Sequence, residues 1–162
     1  MAYNSIIIKS FVKIQEEYTA TAVEITPGML LELASATTVQ AHSSAEGNVL
    51  PMVAFEDELQ GRGIATNYAV STKVQVLIPR RGDILYMLLA DGQNVAVGDF
   101  LESNGAGALQ KHVSETESWE NASAAGSITV PPNPIVGQAL EAVDLSDSAN
   151  LTALGRIQVR IM

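Results

Sequence analysis

An all-β fold, a compact barrel or sandwich with long loops and little helix, is what this sequence predicts, and three observations predict it. The block Val74 to Lys111 reads strand, tight turn, strand, tight turn, strand, with glycine at each punctuation point. Short extended runs elsewhere are separated by Gly, Pro, Asn and Asp, which is the pattern of barrels and sandwiches. The closing segment 155–162 alternates strictly, with Ile157, Val159 and Ile161 on one face and Arg156, Gln158 and Arg160 on the other.

Along the chain, Tyr3 to Ile8 is an apolar terminal run, either an arm or an edge strand within residues 1–15. Phe11 to Ile14 and Thr21 to Ile25 alternate as strands, Pro27-Gly28 stops the second, and 29–33 begins another. Segment 35–48 is polar and small, one strand with a loop or an excursion. Leu50 to Phe55 is extended because Pro51 disfavours helix at Leu50. Lys73 to Ile78 is a strand, Pro79 to Asp83 a turn, and Ile84 to Ala90 a strand buried on both faces. Asp91-Gly92 and Gly98-Asp99 supply further turns, with Val95 and Val97 in register between them. Asn104 to Gly107 is a loop leading to Ala108-Leu109. Residues 114–127 form a mobile loop around the single tryptophan, Trp119, which serves as a local anchor or docks on a partner. The proline-rich stretch 130–134 cannot be an interior strand. Ile135 to Val143 resumes an extended pattern, and 144–154 is a loop or one helical turn. No repeat of fixed period is evident.

Composition narrows the function. At 162 residues one domain spanning 1–162 is expected, and roughly 70% of the unfolded chain's surface is buried on folding. Charged residues are 17% of the chain against about 25% in an average domain, which points to surface covered by other chains. The formal charge of −9 and a single adjacent basic pair, Arg80-Arg81, argue against nucleic-acid binding. Without cysteine there is no disulfide, thiolate chemistry or Cys-based zinc site. No secretory signal and no apolar run long enough for a membrane helix is apparent. Residence in cytoplasm, or in a particle assembled there, is the expectation.

No catalytic set emerges, and no metal or cofactor is expected. His42 and His112 lack ligand spacing and read as surface histidines. Of Glu56-Asp57-Glu58, only Glu56 and Glu58 share a strand face, and the trio reads as a solvated charged edge. Asp83, Asp91 and Asp99 each adjoin a glycine (Gly82, Gly92 and Gly98), so turn chemistry accounts for them. Gly61-Arg62-Gly63 lacks the lysine and following helix of a phosphate cradle. Arg81-Gly82-Asp83 matches an integrin-binding tripeptide but reads as a turn, and the sequon at Asn121 lacks a secretion signal. The hairpin around Val95 to Asp99 is similar to those of lipoyl carriers, but no lysine stands at its tip.

Residues 53–64 (VAFEDELQGRGI), 74–83 (VQVLIPRRGD), 88–92 (LLADG), 97–99 (VGD) and 135–144 (IVGQALEAVD) resemble the decoration, or cement, proteins of tailed bacteriophage capsids. The resemblance covers about residues 50–162. It implies a β-rich subunit of β-clip or β-tulip kind, a homotrimer on the capsid exterior at quasi-three-fold positions, made in the host cytoplasm. Its partners would be the major capsid protein and itself, without nucleic acid or membrane. Candidate partner-binding residues are then Tyr3, Ile6, Ile7 and Ile8, acting by β-augmentation, and Trp119, with Gly82, Asp83, Asp91, Gly92, Gly98 and Asp99 as the turn framework. The alternatives are a glycan- or receptor-binding module using Trp119, Tyr68 and Tyr86, or a β-clip nucleotidohydrolase.

Overall fold

A computed structural model describes residues 3–10, 14–21, 23–113, 135–147 and 155–162. Thirteen strands are assigned among them: β1 (Ile7–Lys9), β2 (Ile14–Ala20), β3 (Leu31–Leu33), β4 (Thr38–Ala41), β5 (Val53–Ala54), β6 (Lys73–Ile78), β7 (Ile84–Leu89), β8 (Asn94–Val95), β9 (Phe100–Ser103), β10 (Leu109–Lys111), β11 (Ile135–Ala139), β12 (Val143–Asp144) and β13 (Gly155–Ile161). The only helix among the described residues is a 3₁₀ turn at Glu58–Gln60, so the all-β expectation holds.

Two closed sheets make up the fold. In one, β7, β10, β9, β11 and β13 follow each other around a ring, and β13 pairs back to β7 from Gly155↔Leu89 to Arg160↔Ile84. In the other, the order β3-β4-β2-β6-β5 curls until its edges meet through the Leu30↔Val53 bridge. Closure removes the open edges that would otherwise invite aggregation.

The two rings have the same topology. β2 through β6 correspond to β7, β9, β10, β11 and β13, and each ring has one parallel pair in the same place, β2 with β4 and β7 with β10. Several of their backbone hydrogen bonds correspond. Gly28 N donates to Ala54 O as Gly98 N donates to Ala139 O, and Phe55 N donates to Gln75 O as Leu140 N donates to Gln158 O. Isolated pairing of Ile25 with Tyr68 has its counterpart in β8 with β12. The sequence trace is one hairpin: LELASATTVQAH (31–42) against LESNGAGALQKH (101–112), preceded by Gly28 and Gly98 at the same interval. Both glycines have φ near +90°, which a side chain would strain. A duplicated barrel was not legible as a fixed-period repeat because the intervals drift: Ala20 matches Leu89, Val39 matches Leu109, and Ala54 matches Ala139. Connecting segments have changed length while the pairing stayed fixed.

A shared wall joins the rings. Strand side chains alternate in direction, so Leu31, Met52, Ala54, Val74 and Val76 enter one core while Leu30, Val53, Phe55 and Leu77 enter the other. Register enforces the split, because Val53 lies opposite Leu77 and Ala54 opposite Val76. Leu88, Ala90 and Ala108 form a smaller contact with Met29 between the barrels.

Some local expectations shift. The strand expected over Thr21 to Ile25 lies earlier, at β2, whose Gln15, Glu16 and Glu17 face solvent while its backbone pairs with β6. Val97 does not share the burial of Val95 and is 66% exposed. Ile84 and Tyr86 are only half-buried, so β7 is enclosed on both faces only over its second half.

Tyr68, buried in the second core, donates its hydroxyl to Phe55 O at 2.7 Å. Burial pushes that hydroxyl from its ordinary 10.0 up to about 12. A raised value in the folded state means the contribution is complete below pH 10 and is lost as pH rises through about 12. Tyr68→Phe orphans the Phe55 carbonyl and is expected to cost about 1–3 kcal/mol below pH 10. Urea denaturation across pH 8–12 should show the gap from native narrowing toward the alkaline end; a constant gap would contradict this assignment.

Candidate functional site

The N-terminal segment is where the sequence placed partner binding, and the structure uses it internally. Ile6 is 0% exposed and sits in the first core beside Leu85, Met87 and Phe55. Its N–H donates to both carboxylate oxygens of Glu56 at 3.1 and 3.2 Å, and its carbonyl accepts from Tyr86 N at 2.8 Å. β1 then pairs antiparallel with β7, Ile7 opposite Leu85. Of the two readings of this segment, the geometry is that of the internal edge strand. Tyr3 meets Tyr86 edge to face at 5.3 Å, and Ile7 and Ile8 are half-buried. An arm free to add to a capsid strand is not what Ile6 allows.

The same corner corrects the reading of Glu56-Asp57-Glu58. Glu56 and Asp57 are buried, and only Glu58 is exposed. Glu56 recruits the N-terminal backbone, a charge-assisted contact that only the folded chain brings together. Close by, Arg156 donates from Nη2 to Ile64 O at 2.8 Å, and its burial holds the guanidinium below its ordinary value, opposed by nearby Tyr86 and Glu56. Arg156 Nη1 lies 2.5 Å from where a Cβ on Gly28 would stand, so Gly28 is needed for that approach as well as for its φ.

The duplicated hairpin carries a repeated polar trio that sequence reasoning missed. Gln40 donates to Glu32 at 2.7 Å and Gln110 to Glu102 at 3.1 Å. His42 Nε2 stands 3.9 Å from Glu32, and His112 Nδ1 stands 2.5 Å from Glu102. His42 is not a surface residue: it is 3% exposed, with Nδ1 at 2.8 Å from Ser103 Oγ of the other barrel and Nε2 at 3.2 Å from Asn48 O. Burial works to raise the Glu32 carboxyl, but hydrogen bonds from Ser43 and Gln40 outweigh it and hold it below the usual range. A cleft of about 250 Å³ lies over this trio, lined by Glu32, Leu33, His42 and the exposed Leu50. The readable signal was the recurrence of Glu, Gln and His at matched positions. Among the described residues, no three His, Asp or Glu side chains gather as metal ligands.

The glycine-aspartate positions are turns. Arg80 to Asp83 and Ala96 to Asp99 are two copies of one turn, each with glycine third at φ +94° and the aspartate carboxylate accepting the N–H of the first residue, Arg80 at 2.8 Å and Ala96 at 2.9 Å. Asp99 also pairs with Lys111 at 2.7 Å, and that contact, with the Ala96 N–H, depresses its carboxyl. Asp91-Gly92 turns the chain between β7 and β8, with Gly92 at φ +77°. Trp119, the 114–127 loop and the Asn121 sequon lie outside the described residues.

The chain is thus an all-β double barrel whose polar clusters are occupied in joining its own segments. No protein-family model matches it, and no curated protein does. A solved structure shares the fold: the head fiber gp8.5 N base of bacteriophage phi29 superposes with a TM-score of 0.53 over 93% of this chain and 95% of that one, at 11% identity. At that identity the likeness is one of fold.

Ile6→Ala is expected to lower stability by about 2–5 kcal/mol in urea denaturation, as core truncations do. A loss under about 0.5 kcal/mol, the size of an ordinary surface change, would return the segment to the status of an arm.

Proposed function

We propose that this chain is a structural subunit of a tailed-phage head that binds the capsid exterior as a homotrimer at quasi-three-fold positions. There it bridges neighbouring major capsid proteins and stabilises the expanded head. The observation that carries the reading is the end-to-end fold likeness to a phage head fiber component, covering nearly the whole of both chains. The resemblance of residues 50–162 to decoration proteins, found independently of that likeness, supports the same class. Action in this reading is mechanical, with no catalytic step. Each subunit contributes an ordinary interface, and linking three copies makes the second and third contacts effectively intramolecular.

A glycan-binding role gains little support from the aromatic residues named for it. The Tyr68 ring is buried with its hydroxyl taken, and Tyr86 is half-buried against Tyr3.

The test is co-sedimentation with expanded heads assembled from the major capsid protein of the same genome, together with light scattering of the free protein. Saturable binding at a fixed copy number, a higher temperature of head rupture, and a mass three times the 17.1 kDa chain are expected. Absence of binding at micromolar protein would overturn the capsid role, and a monomer on the head would overturn the trimer.

A further inference from the structure

We propose that the end of the molecule where one barrel hands over to the other is a docking surface for a carboxylate-rich protein surface, built from Lys9, Arg80, Arg81 and Arg160. These are four of only nine Lys and Arg side chains in a chain of formal charge −9. All four are exposed, and among the described residues none is in an ion pair, whereas Lys73 and Lys111 pair with Glu17 and Asp99.

The fold, not the sequence, assembles them. Ile84 opens β7, and it lies opposite Lys9 of β1 on one edge and Arg160 of β13 on the other. Arg160, opposite in regular register, shares the face of the half-buried Ile84, whereas the β1–β7 register is irregular between Ile7 and Lys9, and Lys9 joins the patch through the cleft that it lines with Arg80 and Arg81. Arg80 and Arg81 come from the turn just before Ile84. That turn is held by Gly82 N donating to Ile161 O at 2.8 Å and by Asp83 N donating to Arg80 O at 3.0 Å. Asp83, the one acid among the described residues lining the cleft, is buried and its carboxylate accepts the Arg80 backbone N–H, an interaction that belongs to the turn. A cleft of about 280 Å³ opens between Lys9, Ser10, Arg80, Arg81, Gly82 and Asp83.

Charge and geometry select the occupant. Guanidinium forks match carboxylates in bidentate fashion. A phosphate backbone offers no apolar surface to cover the half-buried Ile84 that lies between the cations. A protein surface with several carboxylates satisfies all four cations and can cover Ile84 between them, giving the apolar centre and polar rim of an ordinary interface. This surface is independent of whether the partner is a capsid.

Titration of the full-length protein with poly-L-glutamate, followed by amide NMR shifts, tests the proposal. Shifts should centre on Lys9, Arg80 to Gly82 and Arg160. Affinity should fall about tenfold in Arg80→Gln/Arg81→Gln/Arg160→Gln, about twofold in Arg81→Gln alone, and stay unchanged in Lys73→Gln, as exposed charge pairs predict. Equal affinity of the triple variant and native protein, or no binding to either, would overturn the proposal. Inorganic phosphate saturating the same shifts as tightly would mean a small-anion pocket, and tighter binding of duplex DNA would mean a nucleic-acid surface; either result overturns it. Head binding is read by a separate experiment, so each reading can fail without the other.

Discussion

The wall between the barrels is the constraint on which the rest depends. Along β5 and over Val76-Leu77 of β6, successive side chains fill one core and then the other, while Lys73 and Gln75 at the start of β6 face outward. A one-residue slip of β5 against β6 would swap Val53 and Ala54 between the two cores, damaging both at once. Backbone bonds fasten the same strands, with Leu31 N donating to Met52 O at 2.8 Å and Ala54 N to Met29 O at 3.0 Å. Two small barrels thereby keep separate cores on the two sides of one shared wall.

Duplication explains why the polar clusters look like sites and behave as joints. Each hairpin ties its own two strands through Glu and Gln, and each then places its histidine where that barrel needs it, His42 against Ser103 across the barrel boundary and His112 against Glu102 within its own hairpin. Glu56 does a similar service for the N-terminal segment. Among the described residues, the exposed cations outside ion pairs concentrate at the Arg80-Arg81 turn. The proposed structural role accords with that division, since interior polar groups hold the fold and exterior ones are left for contact.

Local pattern revealed the strands whose information is local. β6, β7 and β13 could be read from alternation, and the turns between them from glycine beside aspartate, because those signals act within a few residues. β2 was missed because three consecutive polar residues, Gln15 to Glu17, hide a strand whose reason to exist is its partner β6. Arm and internal edge strand stayed open for Ile6 because an apolar run says that something covers it but not whether the cover is the same chain. His42 and Glu56 looked exposed because their neighbours in sequence are polar, while their neighbours in space, Ser103 and the Ile6 backbone, lie far along the chain. The repeat stayed hidden because pairing geometry was kept while most side chains and loop lengths changed.

If the shared wall is the keystone, the two barrels cannot unfold separately. Native-state hydrogen exchange measures this directly, comparing amides of β6 in one barrel with amides of β13 in the other, in native protein and in Leu77→Ala. Equal opening free energies that fall together in the variant are the predicted result, because Leu77 leaves one barrel's strand to fill the other's core. Amides of β6 that open at much lower free energy, with those of β13 unmoved by Leu77→Ala, would show two independent barrels and contradict the account.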